Sequence, residues 1–189
     1  MLFTSFEFVI FAAALLVLYY LLPRKCQWPL LLAASYIFYG LADPKYLIYI
    51  AVITLTSYFT GLAMSNMIRQ EDEYIARVRD TISKDERKAY RAAGKKKRRR
   101  VLALGLTAGF GILAVIKYTA FAVTNLNSAI HCFGGTGFTV PHLLLPMGIS
   151  FYTFQAMGYL IDVYRGKAAA ERNPAKYALF VAYFPQLIQ

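Results

Sequence analysis

The sequence predicts an all-α, polytopic integral membrane protein, with about five transmembrane helices and a truncated sixth apolar segment. Three observations carry that prediction. The 189 residues are 58% apolar, with a mean hydropathy of +0.44. Charged residues make up only 16%, against roughly 25% in an average soluble protein. The apolar stretches approach the ~20 residues needed to cross hydrocarbon, and the positive charge between them is one-sided.

The first span runs from Ser5 to Leu22 and is closed by Pro23-Arg24-Lys25. Its basic residues follow the apolar run instead of preceding it, which predicts a retained span and not a cleaved signal peptide. The second, Trp28 to about Ala42, is short for a full crossing. In "ADPKY", Asp43 is placed to cap a helix whose first position is Pro44. That opens a third span, Lys45 to about Met64. The fourth is Val101 to Val123, where Gly105, Gly109 and Gly111 allow close helix approach. The fifth is about Leu143 to Tyr164. A last apolar piece, "YALFVAYFPQLIQ" from Tyr177, is too short to cross.

Between the third and fourth spans lies the segment Ser65 to Arg100, which holds 13 of the 21 Lys and Arg residues. Its mixture of acid and base predicts a surface helix with pairs at i,i+3 and i,i+4. The run Lys95 to Arg100 abuts the fourth span, where it meets anionic headgroups and anchors the topology. Alternating the loops puts 19 of the 21 cations on one side. By the positive-inside rule the N-terminus is outside and the basic loop 65–100 is cytoplasmic. The loop "TNLNSAIHCFGGTGFTVPH" is then external, and its adjacent glycines predict an irregular, mobile segment.

This charge distribution argues against nucleic acid as a partner, because the cations sit in a loop between spans and no RNA-binding signature accompanies them. No Cys/His pattern has metal-ligand spacing, so no metal is expected. "CFGGTGF" lacks the lysine and the strand–helix context of a phosphate loop. His131 and His142 read as ordinary loop residues, without a carboxylate or cysteine companion. Glu7 and Lys117 lie towards the ends of their spans, where long side chains snorkel to the interface.

The fifth span is unlike the others. "LLPMGISFYTFQAMGYLIDVYRG", Leu144 to Gly166, keeps several polar side chains where each unpaired one costs several kcal/mol in hydrocarbon. On a helix, Tyr152, Gln155, Tyr159 and Asp162 fall within roughly an 80° arc. Such a stripe belongs to a bundle interior or lines a wet cavity; plain helix–helix packing is the other reading. Pro146 and Gly148 favour a broken start, and Asp162 has Arg165 within pairing distance along the chain.

The same run resembles a signature of the membrane-bound O-acyltransferase family, nearest its alginate O-acetylation and D-alanyl transfer branch. "SYIFYGLADPKYL", "VIKY" with "NLN" at 116–127, and "YFPQLI" at 183–188 match in order and spacing. The resemblance implies a multi-helix membrane enzyme of the bacterial plasma membrane, moving an acyl group to a hydroxyl. It implies a cytoplasmic acyl donor as co-substrate (acetyl-CoA or an acyl carrier) and no bound cofactor. The acceptor would be a polysaccharide or envelope polymer, reached through extracytoplasmic partner proteins. The stripe would line or brace a tunnel through the membrane.

In that family the catalytic histidine lies well beyond "FPQLI". No catalytic residue is therefore expected in this chain, and neither His131 nor His142 matches the family position. The chain reads as the N-terminal part, residues 1–189, of a single transmembrane domain more than twice as long, inactive alone. The alternative is a non-catalytic scaffold, or a half-protein needing a separate partner.

Overall fold

A computed structural model describes residues 6–78, 83–132, 135, 137–139 and 148–188. All regular structure among them is helical: α1 (Phe6–Leu21), α2 (Arg24–Ala42), α3 (Pro44–Arg77), α4 (Lys84–Cys132), α5 (Ile149–Tyr164) and α6 (Pro174–Ala182). A 3-10 turn, Phe184–Ile188, follows α6. The expected all-α fold is borne out.

Two helices, α3 and α4, are long and apolar enough to cross a membrane. At 1.5 Å per residue, 34 residues of α3 reach about 51 Å and 49 residues of α4 about 74 Å. Both overshoot a hydrocarbon layer of about 30 Å. Helices α1 and α5 are apolar but shorter, with 16 residues each. The expected start of the fifth span at Leu143, with Pro146, lies outside the described residues.

The caps follow local chemistry. The Asp43 carboxylate accepts from the Lys45 N–H at 2.8 Å with Pro44 opening α3, as the sequence predicts. Asn173-Pro174 repeats the device at α6, its side chain accepting from the N–H groups of Ala175 and Lys176. At the end of α5, Gly166 takes φ +71°, which lets its own N–H reach the Val163 carbonyl and that of Lys167 the Asp162 carbonyl. The Gln27 amide donates to the carbonyls of Tyr19 and Leu22, which have no acceptor role left inside α1.

The charged stretch 65–100 departs from expectation. It forms no separate surface helix; α3 runs on to Arg77, and α4 begins at Lys84, so the two spans project as one helical hairpin. Residues 62–77 contain neither Pro nor Gly. Extending an existing helix needs no new nucleus, so the chain continues helical past the apolar stretch. The tightest ion pair crosses between the helices: Arg98 to Glu71 at 2.5 Å, both largely buried. Arg91 also reaches across, to Asp72 at 4.0 Å, and among the described residues only Arg69–Glu73 is an i,i+4 pair. Gly94 makes this possible, because a Cβ there would lie 2.3 Å from a Glu71 carboxylate oxygen. Tyr74 and Tyr90 stack beyond it, ring centres 4.6 Å apart.

The main core joins α3, α4, α5 and α6 around Ile50, Ile53, Met64, Met157 and Leu160, with Tyr39 of α2. Gly105 and Gly109 lie under α5, as expected of small residues. A Cβ on Gly105 would meet Thr60 at 2.6 Å, and one on Gly109 would meet Met157 at 2.5 Å. Gly111 differs: nothing lies within 4 Å of its Cβ position, so it serves no close approach among the described residues. A second, aromatic cluster holds α1 through Phe8 and Phe11 against Phe38 of α2 and Phe184.

Candidate functional site

Helix α5 starts abruptly. Gly148 takes φ +74°, a left-handed conformation that a side chain would strain, and regular turns begin at Ile149. The irregular start expected at Gly148 is therefore present, while Pro146 and His142 lie outside the described residues. From there α5 is buried along Ile149, Tyr152, Thr153, Ala156, Met157, Leu160 and Val163. It is a central helix: Met157 and Leu160 meet the glycines of α4, and Phe154 meets Phe110.

The four stripe residues are placed unequally. Tyr152 is fully buried in the main core. Gln155 turns to α6, donating its amide to the Phe180 carbonyl at 2.9 Å. Tyr159 is half-buried, its ring 4.8 Å from Tyr177 and 6.0 Å from Phe180. Its hydroxyl accepts from the Glu171 N–H at 3.0 Å. Asp162 is exposed at the last turn, and no ion pair joins it to Arg165 among the described residues. Three of the four thus lie inside the bundle, two of them facing α6 and the segment before it.

Sequence reasoning missed their partners. Tyr58 donates its hydroxyl to the Arg172 carbonyl at 2.6 Å. Tyr177 donates to Ser57 at 2.8 Å, and Ser57 passes its own proton to the Ile53 carbonyl at 2.6 Å. Glu171 in turn accepts from the Asn173 N–H. These residues tie the segment 171–173 to α3 and α5. The signal was faint: isolated tyrosines in apolar helices read as interface residues until the fold brings α3, α5 and α6 together.

Beside this satisfied network stand buried polar atoms without a hydrogen-bond partner among the described residues. They are the hydroxyls of Tyr39, Thr54, Tyr152 and Thr153, the side-chain carbonyls of Gln155 and Gln186, and the Nε groups of Arg87 and Arg98. Three belong to α5. A groove of about 310 Å3 opens between α2, α3 and α6, walled in part by Tyr36, Thr54, Tyr58 and Ala178.

Other expected features are plainly placed. Glu7 and Lys117 are exposed and form no ion pair among the described residues; Lys117 lies over the Tyr118 ring. The irregular loop expected from Thr124 begins later: α4 runs on to Cys132 and takes in Asn127 and His131, and Asn127 grips Phe138 of the following segment by two 2.7 Å hydrogen bonds. No group of three His, Cys, Asp or Glu side chains that could hold a metal occurs among the described residues.

Taken together, the all-α fold, two helices of spanning length and a polar-striped central helix define a helical membrane protein. Its similarity is to proteins named as O-acetylases and O-acetyltransferases. The chain is 38% identical over its whole length to a probable alginate O-acetylase of Azotobacter vinelandii and 39% to one of Pseudomonas putida. A peptidoglycan O-acetyltransferase of Helicobacter pylori is 29% identical over 90% of the chain. The likeness to the membrane-bound O-acyltransferase family is thereby borne out along the whole sequence. The chain spans about a third of the length of these relatives, 33%, 34% and 32% respectively. No family model and no solved structure matches it.

Proposed function

We propose that this chain is the N-terminal part of a membrane-bound O-acyltransferase, which moves an acyl group onto hydroxyls of an extracytoplasmic polysaccharide or envelope polymer. The observation that carries the reading is the similarity to alginate O-acetylases along every part of the chain. In this reading the protein lies in the bacterial plasma membrane with its N-terminus outside. The α3–α4 hairpin, net +7 over residues 65–100, is cytoplasmic. The acyl donor, acetyl-CoA or an acyl carrier, arrives from that side, and partner proteins outside hand on the polymer.

The chain's share is structural. A general base of the kind that activates a hydroxyl for acyl transfer would come from the remainder of the enzyme. Helix α5 would brace the passage between the two sides with Tyr152, Gln155, Tyr159 and Asp162. The buried polar atoms of α5 support this, since apolar side chains would serve a plain anchor better.

The reading is tested in the producing cell. Disrupting the gene should strip O-acyl esters from the envelope polymer, measured by proton NMR of the purified polysaccharide, and the whole reading frame should restore them. Unchanged ester content refutes the transferase. With activity in hand, Gln155→Leu with Asp162→Asn in the whole enzyme should lower ester content about tenfold or more, as loss of positioning groups does. Full activity in that double variant reduces the stripe to packing.

A further inference from the structure

The hairpin end of α3 and α4 carries a feature that topology does not require. Lys84, Arg87, Lys88 and Arg91 sit at i, i+3, i+4 and i+7 of α4, which places four cations on one helical face. With Ile75 of α3 they wall a groove of about 430 Å3. Its size lies within the roughly 300–1,000 Å3 of small-ligand sites.

Among the described residues, the nearby carboxylates leave this charge in place. Glu71 is engaged by Arg98, and Asp72 only reaches the edge of the groove, 4.0 Å from Arg91. Glu86 caps the helix start by accepting from the Ser83 N–H, and Asp85 is exposed in the first turn. Lys84, Arg87 and Lys88 have no carboxylate partner among the described residues. The Arg87 Nε is buried without a hydrogen bond among the described residues.

Distance separates this groove from the bilayer. Lys95 to Arg100 immediately precede the apolar stretch at Val101, and in the placement proposed above they lie at headgroup depth. Residues 84 to 91 stand 10 to 17 positions before Val101, about 15–25 Å further along the helix. The headgroup layer is only about 5–8 Å thick on each side. In that placement the groove faces water, past the reach of lipid phosphates.

We propose that this groove is a binding site for a soluble diphosphate-bearing small molecule. Arg87 and Lys88 hold its phosphate oxygens by charge-assisted hydrogen bonds, and Lys84 and Arg91 flank them. The site does not depend on the transferase reading.

The test uses the whole chain in nanodiscs of zwitterionic lipid, titrated calorimetrically with inorganic pyrophosphate. Binding should weaken about tenfold in Arg87→Gln/Lys88→Gln, as when two charge-assisted contacts go. It should change less than about twofold in Lys96→Gln/Lys97→Gln, whose cations lie at the bilayer. Circular dichroism of both variants checks that the fold is intact. Absence of pyrophosphate binding in the wild-type chain overturns the site. So does equal weakening in both variants, which assigns the effect to net charge. Displacement of pyrophosphate when phosphatidylglycerol is added to the nanodisc overturns it as well, in favour of lipid headgroups.

Discussion

Two groups of tyrosines divide the bundle, and they are treated oppositely. Towards the hairpin end, Tyr58, Tyr159 and Tyr177 each have a hydrogen-bond partner: the Arg172 carbonyl, the Glu171 N–H and Ser57. Nearer the end marked by Asp43 and Gly148, Tyr39 and Tyr152 are buried to 1% and 0% exposure, and their hydroxyls have none among the described residues. The rings in both groups pack into the same core. What differs is the work of the oxygen. In the first group it fixes the backbone before α6, so that α6 is held to α3 and α5. In the second the ring alone stabilises the fold, and the oxygen is a cost.

The comparison is broken most forcefully at Gly61. A Cβ there would sit 2.9 Å from the Tyr159 ring, so Gly61→Leu must push that ring away and lose its bond to Glu171. Overpacking of this kind costs about 3 kcal/mol. Denaturant titration of the chain in detergent should show that loss, together with faster proteolysis after Arg172. Wild-type stability would mean that Tyr159 does not hold the segment before α6.

A milder change sharpens the difference within the paired group. Tyr177→Phe keeps the ring and removes the proton donated to Ser57, for an expected loss of about 1 kcal/mol. Tyr58→Phe removes the bond to the Arg172 carbonyl and should cost a similar amount. The two bonds hold adjacent parts of one segment, so the double variant should fall short of the sum. Simple additivity, read from the same titrations, would show that α6 and the segment before it are secured independently.

Much of this was legible in the sequence, for physical reasons that can be named. Asp43-Pro44 specified a helix start by local hydrogen bonding alone, and α3 begins there. Hydropathy marked the apolar parts of α1, α3, α4 and α5 because burial in lipid or core selects the same residues. Hydropathy could not mark helix ends in charged sequence, and α3 and α4 ran on past the apolar boundary into the hairpin. Within the stripe, angular position on the helix grouped Tyr152, Gln155 and Tyr159, which lie inside the bundle, with Asp162, which is exposed. It could not tell that Met157 and Leu160 on the other side are buried as well, since that depends on glycines 50 residues away in α4. The partners Ser57, Tyr58 and Tyr177 were illegible for the same reason: their bonds span 114 and 120 residues.

The smallest effect is expected where the oxygen is orphaned, and it is the most discriminating. Tyr152→Phe removes a buried hydroxyl that forms no hydrogen bond with described residues while leaving the packed ring intact. Deleting an unsatisfied buried polar group relieves its desolvation cost, so stability should stay level or rise by up to about 1 kcal/mol. Tyr39→Phe should behave alike. The contrast with Tyr177→Phe then has opposite signs for one chemical change at two depths of one core. If Tyr152→Phe instead destabilises the chain as much as Tyr177→Phe does, the hydroxyl has a partner from outside the described residues. In that case the two tyrosine groups are equivalent in stability. If the variant is stable but the whole enzyme loses acyl transfer, the hydroxyl is retained at a cost to folding because the passage uses it, which is the trade expected of a polar atom kept inside a membrane helix.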